Sequence, residues 1–369
     1  MKTEFLTLIL KVTNKCNLNC PYCYTKSTIH NGQDMDLNTF KNAVVKGASS
    51  VEKELTVIFH GGEPTLRSYE WFEEALNFLN HIEEIYNIKI HKALQTNLTL
   101  FDEKKFKLFK SRNVGIGFSY DGITNDLTRQ NNDLIINNYN KIISKPFNII
   151  TGCIALITKD NYDKLIEMVE DFQSKKILYD LHLVFNTITM EDDKANMNID
   201  LVIEKYKEFI DYIFSKENYS IPSTITNFIN YIVSKKKGLC ELIDCRKHWL
   251  GISPEGKVVP CGNEWLQKNE EYLFGNINTD SIDDIFNCSN YQKFSNKIDK
   301  KINICKNCEI FDFCNSGCPA KDFSNTGDVG NHDVKTCKLT KEIYKHIQNK
   351  ILSKDFKNNN IIRMVENEK

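Results

Sequence analysis

The chain has 369 residues, room for two domains or for one large domain with an appendage. Lys and Arg total 48 against 49 Asp and Glu, so no global basic field exists to draw nucleic acid by charge. No apolar run approaches the roughly 18 residues of a membrane helix, and Met1 to Phe5 lead straight into a strand-like run with no signal peptide. A cytoplasmic protein with no nucleic-acid and no membrane partner is therefore expected. Thirteen cysteines in such a chain do not read as a disulfide framework. They fall at 16, 20 and 23, singly at 153, and densely from 240 to 337, and metal ligation is the simplest account of both groups.

In chain order, Phe5–Thr13 alternates and then runs apolar, as a buried first strand would. The loop Cys16-Asn17-Leu18-Asn19-Cys20-Pro21-Tyr22-Cys23-Tyr24 follows, then an amphipathic helix from Asp36 to about Ser50. Strands are expected at Glu54–Phe59, Ile88–Leu94, Val114–Tyr120, Phe147–Ile157 and Leu178–Ile188, with helices between them, among these Tyr69–Tyr86, 134–143 and 164–174. Six strand–helix repeats joined by short connections predict a parallel sheet with helices outside, a partial (β/α)6 barrel whose chemistry collects at the carboxyl ends of the strands. Those ends carry Gly61-Gly62-Glu63-Pro64, Gln95-Thr96-Asn97, and Ser119 with Asp121, with Arg129 soon after. Glycines there let the backbone approach a ligand, and a carboxylate can accept hydrogen bonds from an ammonium. From 189 to 238 the pattern loosens into polar helices, and Ile252–Val259 reads as a hairpin turning at Pro254-Glu255-Gly256.

Three thiolates within eight residues suit a soft metal. An iron–sulfur cubane held by only three cysteines keeps one iron for a non-protein ligand, while a structural zinc with one distant ligand fits the same residues. The spacing C-x3-C-x2-C, with an aromatic before the last cysteine, resembles the signature of the radical S-adenosylmethionine (SAM) family. That resemblance implies SAM chelated to the open iron and cleaved to a 5′-deoxyadenosyl radical. It further implies SAM contacts from Tyr22, from Gly61, Gly62 and Glu63 at the amino group, from Thr96 and Asn97, from Ser119 near the ribose, and from Arg129 near the carboxylate. The C-terminal cysteines, Cys240-x4-Cys245, then Cys261, Cys305-x2-Cys308-x5-Cys314-x3-Cys318 and Cys337, are similar to the SPASM auxiliary-cluster module. Carried over, that likeness gives one auxiliary [4Fe–4S] cluster to Cys240, Cys245, Cys261 and Cys318 and a second to Cys305, Cys308, Cys314 and Cys337. With the cluster on Cys16, Cys20 and Cys23 the cofactors are three [4Fe–4S] clusters and SAM. Cys153 is left as a small buried residue and Cys288 as incidental.

The expected organisation is a barrel over 1–190, a helical connector over 191–239, the SPASM module over 240–340, and a C-terminal helix with a polar tail over 341–369. The resemblance implies a peptide- or protein-modifying oxidoreductase that abstracts hydrogen from a side chain or α-carbon and leaves an oxidative modification or crosslink in a ribosomal peptide. Its partners would be the peptide, a flavodoxin- or ferredoxin-type electron donor, and a separate peptide-recognition protein if the chain does not bind the peptide itself. Formylglycine formation as in anaerobic sulfatase maturases, and oxidation of a small molecule, are the alternatives. Sulfatase maturases carry an Asp directly after the third cysteine of the first auxiliary cluster, and here that position is Gly262. No catalytic base is assigned. Asn263, Glu264 and Trp265 are candidates to touch substrate.

Overall fold

The protein is described by a computed structural model for residues 2–23, 32–144, 147–184, 196–262 and 269–366. Tyr24, the end of the expected sixth strand, the barrel–connector boundary at 190 and the substrate candidates Asn263, Glu264 and Trp265 lie outside the described residues.

Strand β1 (Thr3–Thr13) sets the architecture. Its side chains alternate: Leu6, Leu8, Leu10 and Val12 are buried on the helix-covered face, while Thr7, Ile9, Lys11 and Thr13 point to the other. β2 (Val51–Gly61), β3 (Lys89–Thr96), β4 (Val114–Ser119), β5 (Ile150–Ile157) and β6 (Tyr179–Leu183) follow, each parallel to its predecessor. The intervening helices include Leu37–Ser49, Tyr69–Tyr86, Glu103–Ser111, Asn132–Ile143 and Leu165–Ser174. Tyr69–Tyr86 starts where Ser68 accepts a hydrogen bond from the Trp71 amide and stops at Asn87 in the left-handed region. Its face packs edge-on into an aromatic cluster of Phe40, Phe59, Trp71, Phe72 and Phe109. The expected α/β barrel half is therefore present.

The C-terminal module does not form a separate layer. β7 (Trp249–Ile252) pairs in parallel with the free side of β1, Thr7 opposite Trp249 and Leu10 opposite Ile252. β8 (Lys257–Val259) and β9 (Gly275–Asn276) then add antiparallel, giving one nine-stranded sheet in the order 6-5-4-3-2-1-7-8-9. The expected hairpin turns at Gly256, whose φ of +85° is a glycine conformation.

The segment expected to be polar helices is amphipathic. Ile199–Ser215 buries Val202, Phe209, Ile210 and Ile213, and Ser223–Ser234 buries Ile225, Phe228 and Ile229. The chain after 340 is also more ordered than a polar tail. Val334–Ser353 is followed by the helix Asn359–Glu366, anchored by Asn358, whose buried amide donates to the Ile213 and Tyr219 carbonyls. Among the described residues no helix is long and apolar enough to cross a membrane.

Strand register collects the polar inner-face residues at one end of the sheet. Lys11 lies opposite His60, Gln95 opposite Gly117, and Leu156 opposite His182. The loop after β8 folds back over β7, so that a Cβ on Gly251 would stand 2.1 Å from the Cys261 carbonyl oxygen. Gly251→Ala is expected to destabilise the chain by about 1–3 kcal/mol through that clash, read as a lower urea midpoint at unchanged m-value.

Candidate active site

A cavity of about 390 Å³ opens at the carboxyl ends of β1 to β6. Cys16, Cys20, Cys23 and Tyr22 line it from the loop after β1, Gly61 and Gly62 from the turn after β2, and Thr96 and Asn97 from the end of β3. Ser119 and Arg129 complete the expected set on the wall. Glu63 is the exception. Its carboxylate is fully buried and accepts from Thr65 N and Oγ1, Thr96 Oγ1 and Asn97 N, at 2.6–2.9 Å. Burial raises its pKa, opposed by those hydrogen bonds. With four donors already on its two oxygens, this side chain clamps the turn after β2 to the end of β3.

The glycines serve the same clamp. Gly62 N donates to Thr13 O at 2.9 Å and Glu63 N to Lys15 O at 2.8 Å. A Cβ would lie 2.0 Å from Thr13 O at Gly61 and 2.2 Å from Lys15 O at Gly62. What approaches so closely is the root of the cysteine loop itself. Asn97 holds the other flank, with its Nδ2 2.9 Å from Asn17 Oδ1 and 3.9 Å from Cys16 Sγ. Burial, with the neighbouring thiols adding to it, pushes the Cys16 thiol up to about 11 and that of Cys20 up to about 12.

Arg129 is positioned by Asp121, one of the polar residues noted after the fourth strand but given no SAM contact by the family resemblance. Asp121 is fully buried at the end of β4, and its Oδ2 accepts from Arg129 Nε (3.0 Å), Tyr22 Oη (3.0 Å) and Thr128 Oγ1 (2.6 Å). Its Oδ1 accepts from Leu156 N at 2.8 Å. The Arg129 guanidinium also lies 5.2 Å from the centre of the Tyr22 ring. Tyr22 is therefore a buried strut between the cysteine loop and β4 as well as a wall residue. Ser119 Oγ accepts from Gln95 Nε2 at 3.1 Å, and that amide fills the space beside Gly117.

Four polar wall residues lie outside the expected SAM contacts: His60, Gln95, His182 and Lys321. Burial, with Lys11 alongside, drops the His60 imidazole to about 4, so it is neutral at pH 7. His182 Nε2 sits 3.3 Å from Asp180, whose carboxylate Ser223 and Thr224 also hold. Lys321 comes from the module and pairs with Glu241 at 2.5 Å. His182, Leu183, Val184 and Lys321 also line a second cavity, about 380 Å³, between β6, the connector helices and the module. The two cavities thus meet at the barrel–module boundary.

The module cysteines sort into two sets. Burial raises the thiols of Cys240 and Cys245, and Cys318 and Cys261 raise both further. Burial likewise raises Cys314, with Cys337, Cys305 and Cys308 adding to it. Among the described residues no three ligating groups converge tightly enough for a single metal ion. Cys153 is buried inside β5, as expected, and Cys288 caps the helix Ser289–Cys305 by accepting from Tyr291 N. Asp121→Ala should cost about 3–5 kcal/mol by leaving the Arg129 charge buried and unpaired. Asp121→Asn should cost less, both read by urea unfolding of the anaerobically purified protein.

Residues 10–194 match the Radical SAM superfamily and residues 240–309 the SPASM iron–sulfur cluster-binding domain. An uncharacterized protein of Methanocaldococcus jannaschii is 36% identical over 185 residues, 47% of this chain, and the chain spans only 62% of that relative. A cysteine-type anaerobic sulfatase-maturating enzyme of Clostridium novyi is 26% identical, covering 84% of this chain and 87% of that protein. The radical SAM cyclopropyl synthase TigE of Paramaledivibacter caminithermalis is 25% identical over 92% of this chain and 73% of its own. Among solved structures, native anSMEcpe with bound AdoMet and the Cp18Cys peptide superposes with a TM-score of 0.78 at 21% identity, covering 97% of this chain and 99% of that one. With the cysteine loop, the glycine turn and the parallel half-barrel all in place, the chain belongs to the radical SAM superfamily and carries a SPASM iron–sulfur domain.

Proposed function

We propose that this protein is a peptide-modifying radical SAM enzyme that oxidises or crosslinks a ribosomal peptide. The observation that carries this reading is the meeting of two cavities at His182 and Lys321, one walled by Cys16, Cys20 and Cys23 and the other reaching Cys314 and Cys318. A substrate held there touches the barrel and the module together. Relatives that span most of the chain, the sulfatase-maturating enzymes and TigE, support a peptide or protein substrate.

In this reading Cys16, Cys20 and Cys23 would hold a [4Fe–4S] cluster and the cavity beside them would take SAM, whose cleavage would supply the 5′-deoxyadenosyl radical. The protein's part is positional. Glu63 and the two glycines fix the cysteine loop, Arg129 offers its outer guanidinium nitrogens to a carboxylate, and Ser119 with Gln95 presents hydroxyl and amide groups to a ribose. Thr96 and Asn97 keep the loop's flank rigid. Cys240, Cys245, Cys261 and Cys318 hold one auxiliary cluster, and Cys305, Cys308, Cys314 and Cys337 the other. A flavodoxin- or ferredoxin-type donor delivers electrons, and a separate recognition protein is the remaining partner if the chain does not grip the peptide alone.

Formylglycine formation is the second reading, favoured by the near full-length match to sulfatase-maturating enzymes. Position 262 argues against it. Position 262 itself carries no carboxylate, and a Cβ there would stand 2.9 Å from Ile9 Cγ2, so a side chain at 262 would have to displace Ile9. A base for the substrate thiol or hydroxyl would have to reach in from elsewhere.

Anaerobic reconstitution should give about twelve irons per chain, three clusters of four. Changing Cys16, Cys20 and Cys23 together to Ala should lower that to about eight and abolish 5′-deoxyadenosine formation. Stoichiometric zinc without iron would refute the assignment. A Cys-x-Pro-x-Arg peptide with SAM and a low-potential reductant should yield 5′-deoxyadenosine slowly and no aldehyde. Efficient aldehyde formation, trapped as a hydrazone, would make the maturase reading the correct one.

A further inference from the structure

Each module quartet has a lysine–carboxylate pair set against it, and both pairs pass through one helical turn. In the helix Pro319–Thr326, Lys321 and Asp322 are consecutive and pair with different segments of the chain. Lys321 pairs with Glu241 beside Cys240 and Cys318. Asp322 pairs with Lys301, which lies one turn before Cys305 on the helix Ser289–Cys305 and has no solvent exposure. The second Asp322 oxygen accepts from Asp333 N at 3.0 Å, and Asp333 caps the helix that carries Cys337.

A buried ion pair stabilises a fold weakly, because desolvating both charges offsets their attraction. Two such pairs against two sets of thiols call for another role. Four thiolates around a cluster concentrate negative charge in a poorly solvated place, and one-electron reduction adds more. Net charge and its surroundings are among the levers that set cluster potential. Lys301 stands one turn from Cys305 on the same helix while its partner Asp322 sits on another, and Lys341, on the helix that carries Cys337, approaches this quartet at Cys308.

We propose that Lys301 and Lys321 are potential-setting residues, each holding one auxiliary cluster at a more readily reduced potential, with the Lys321–Asp322 turn fixing both. This rests on the ligand assignment given under Proposed function. The lysines neither bind substrate through this role nor take part in SAM cleavage through it; they act on the charge that each cluster can carry.

The test is an EPR-monitored redox titration of the reconstituted full chain with no peptide added. The Cys16/Cys20/Cys23 triple Ala variant identifies the auxiliary signals. Lys301→Met should move one auxiliary signal to lower potential by roughly tenfold in its reduction equilibrium, ~59 mV for one electron. It should leave the SAM-site signal and 5′-deoxyadenosine formation unchanged, and Lys301→Arg should return the potential toward that of the unmodified protein. Lys321→Met should move the other auxiliary signal. If Lys301→Met fails to fold because Asp322 is stranded, Lys301→Met/Asp322→Leu removes both charges and should still shift the potential downward, by less. Full iron with unmoved midpoints, or an upward shift in the double variant, would overturn the inference. An iron content near four in the unmodified chain would instead overturn the ligand assignment.

Discussion

Two backbone hydrogen bonds hold this site together: Gly62 N to Thr13 O and Glu63 N to Lys15 O. They bring two strand ends into contact that any side chain at 61 or 62 would prevent. Once that contact is made, the cysteine loop has a fixed root, and Asn97 and Tyr22 need only brace its flanks. The loop's own composition, with three cysteines and Pro21, would not hold a fixed shape unaided.

Two buried acids carry most of the remaining order. Glu63 gathers four donors from the ends of β2 and β3, and Asp121 gathers four from the cysteine loop, β5 and the segment after β4. Each is a charge affordable in the interior only because every oxygen is satisfied. Each carboxylate takes three donors on one oxygen and one on the other inside the fold, and the neighbours they orient, Arg129 and Asn97 among them, stand on the cavity wall. Arg129 is the clearest case: its Nε is spent on Asp121, and the outer end of the guanidinium is thereby aimed at the cavity.

Much of this was legible in the residues. Period-two alternation in Phe5–Thr13 and the recurring strand–helix rhythm gave the half-barrel because burial on a two-sided sheet imposes that pattern directly. Cysteine spacing located both metal regions, since ligand geometry fixes short separations along the chain. The clamp made by Glu63 was not legible, because nothing in a carboxylate after two glycines shows which amide and hydroxyl donors the fold will gather on it. His182 and Lys321 were also invisible: they reach the same wall from positions 139 residues apart, and no local pattern records that. The same holds for β7, whose residues Trp249–Ile252 carry no mark of their partner at Thr7–Leu10. The connector helices read as polar because their exposed faces are charged, while the buried stripe appears only when the 3.6-residue period is followed through.

The pairing of β1 with β7 has a consequence for biosynthesis. A ribosome delivers Thr7–Leu10 some 240 residues before their second neighbour, Trp249–Ile252. Until then one side of the central strand is an open edge, apolar and competent to pair with any other extended chain. The nascent half-barrel therefore spends most of its synthesis as an unfinished sheet, and helper proteins that mask such edges would act before residue 250. Cluster insertion faces the same schedule: Cys16, Cys20 and Cys23 emerge first, yet the wall that Lys321 completes is made last.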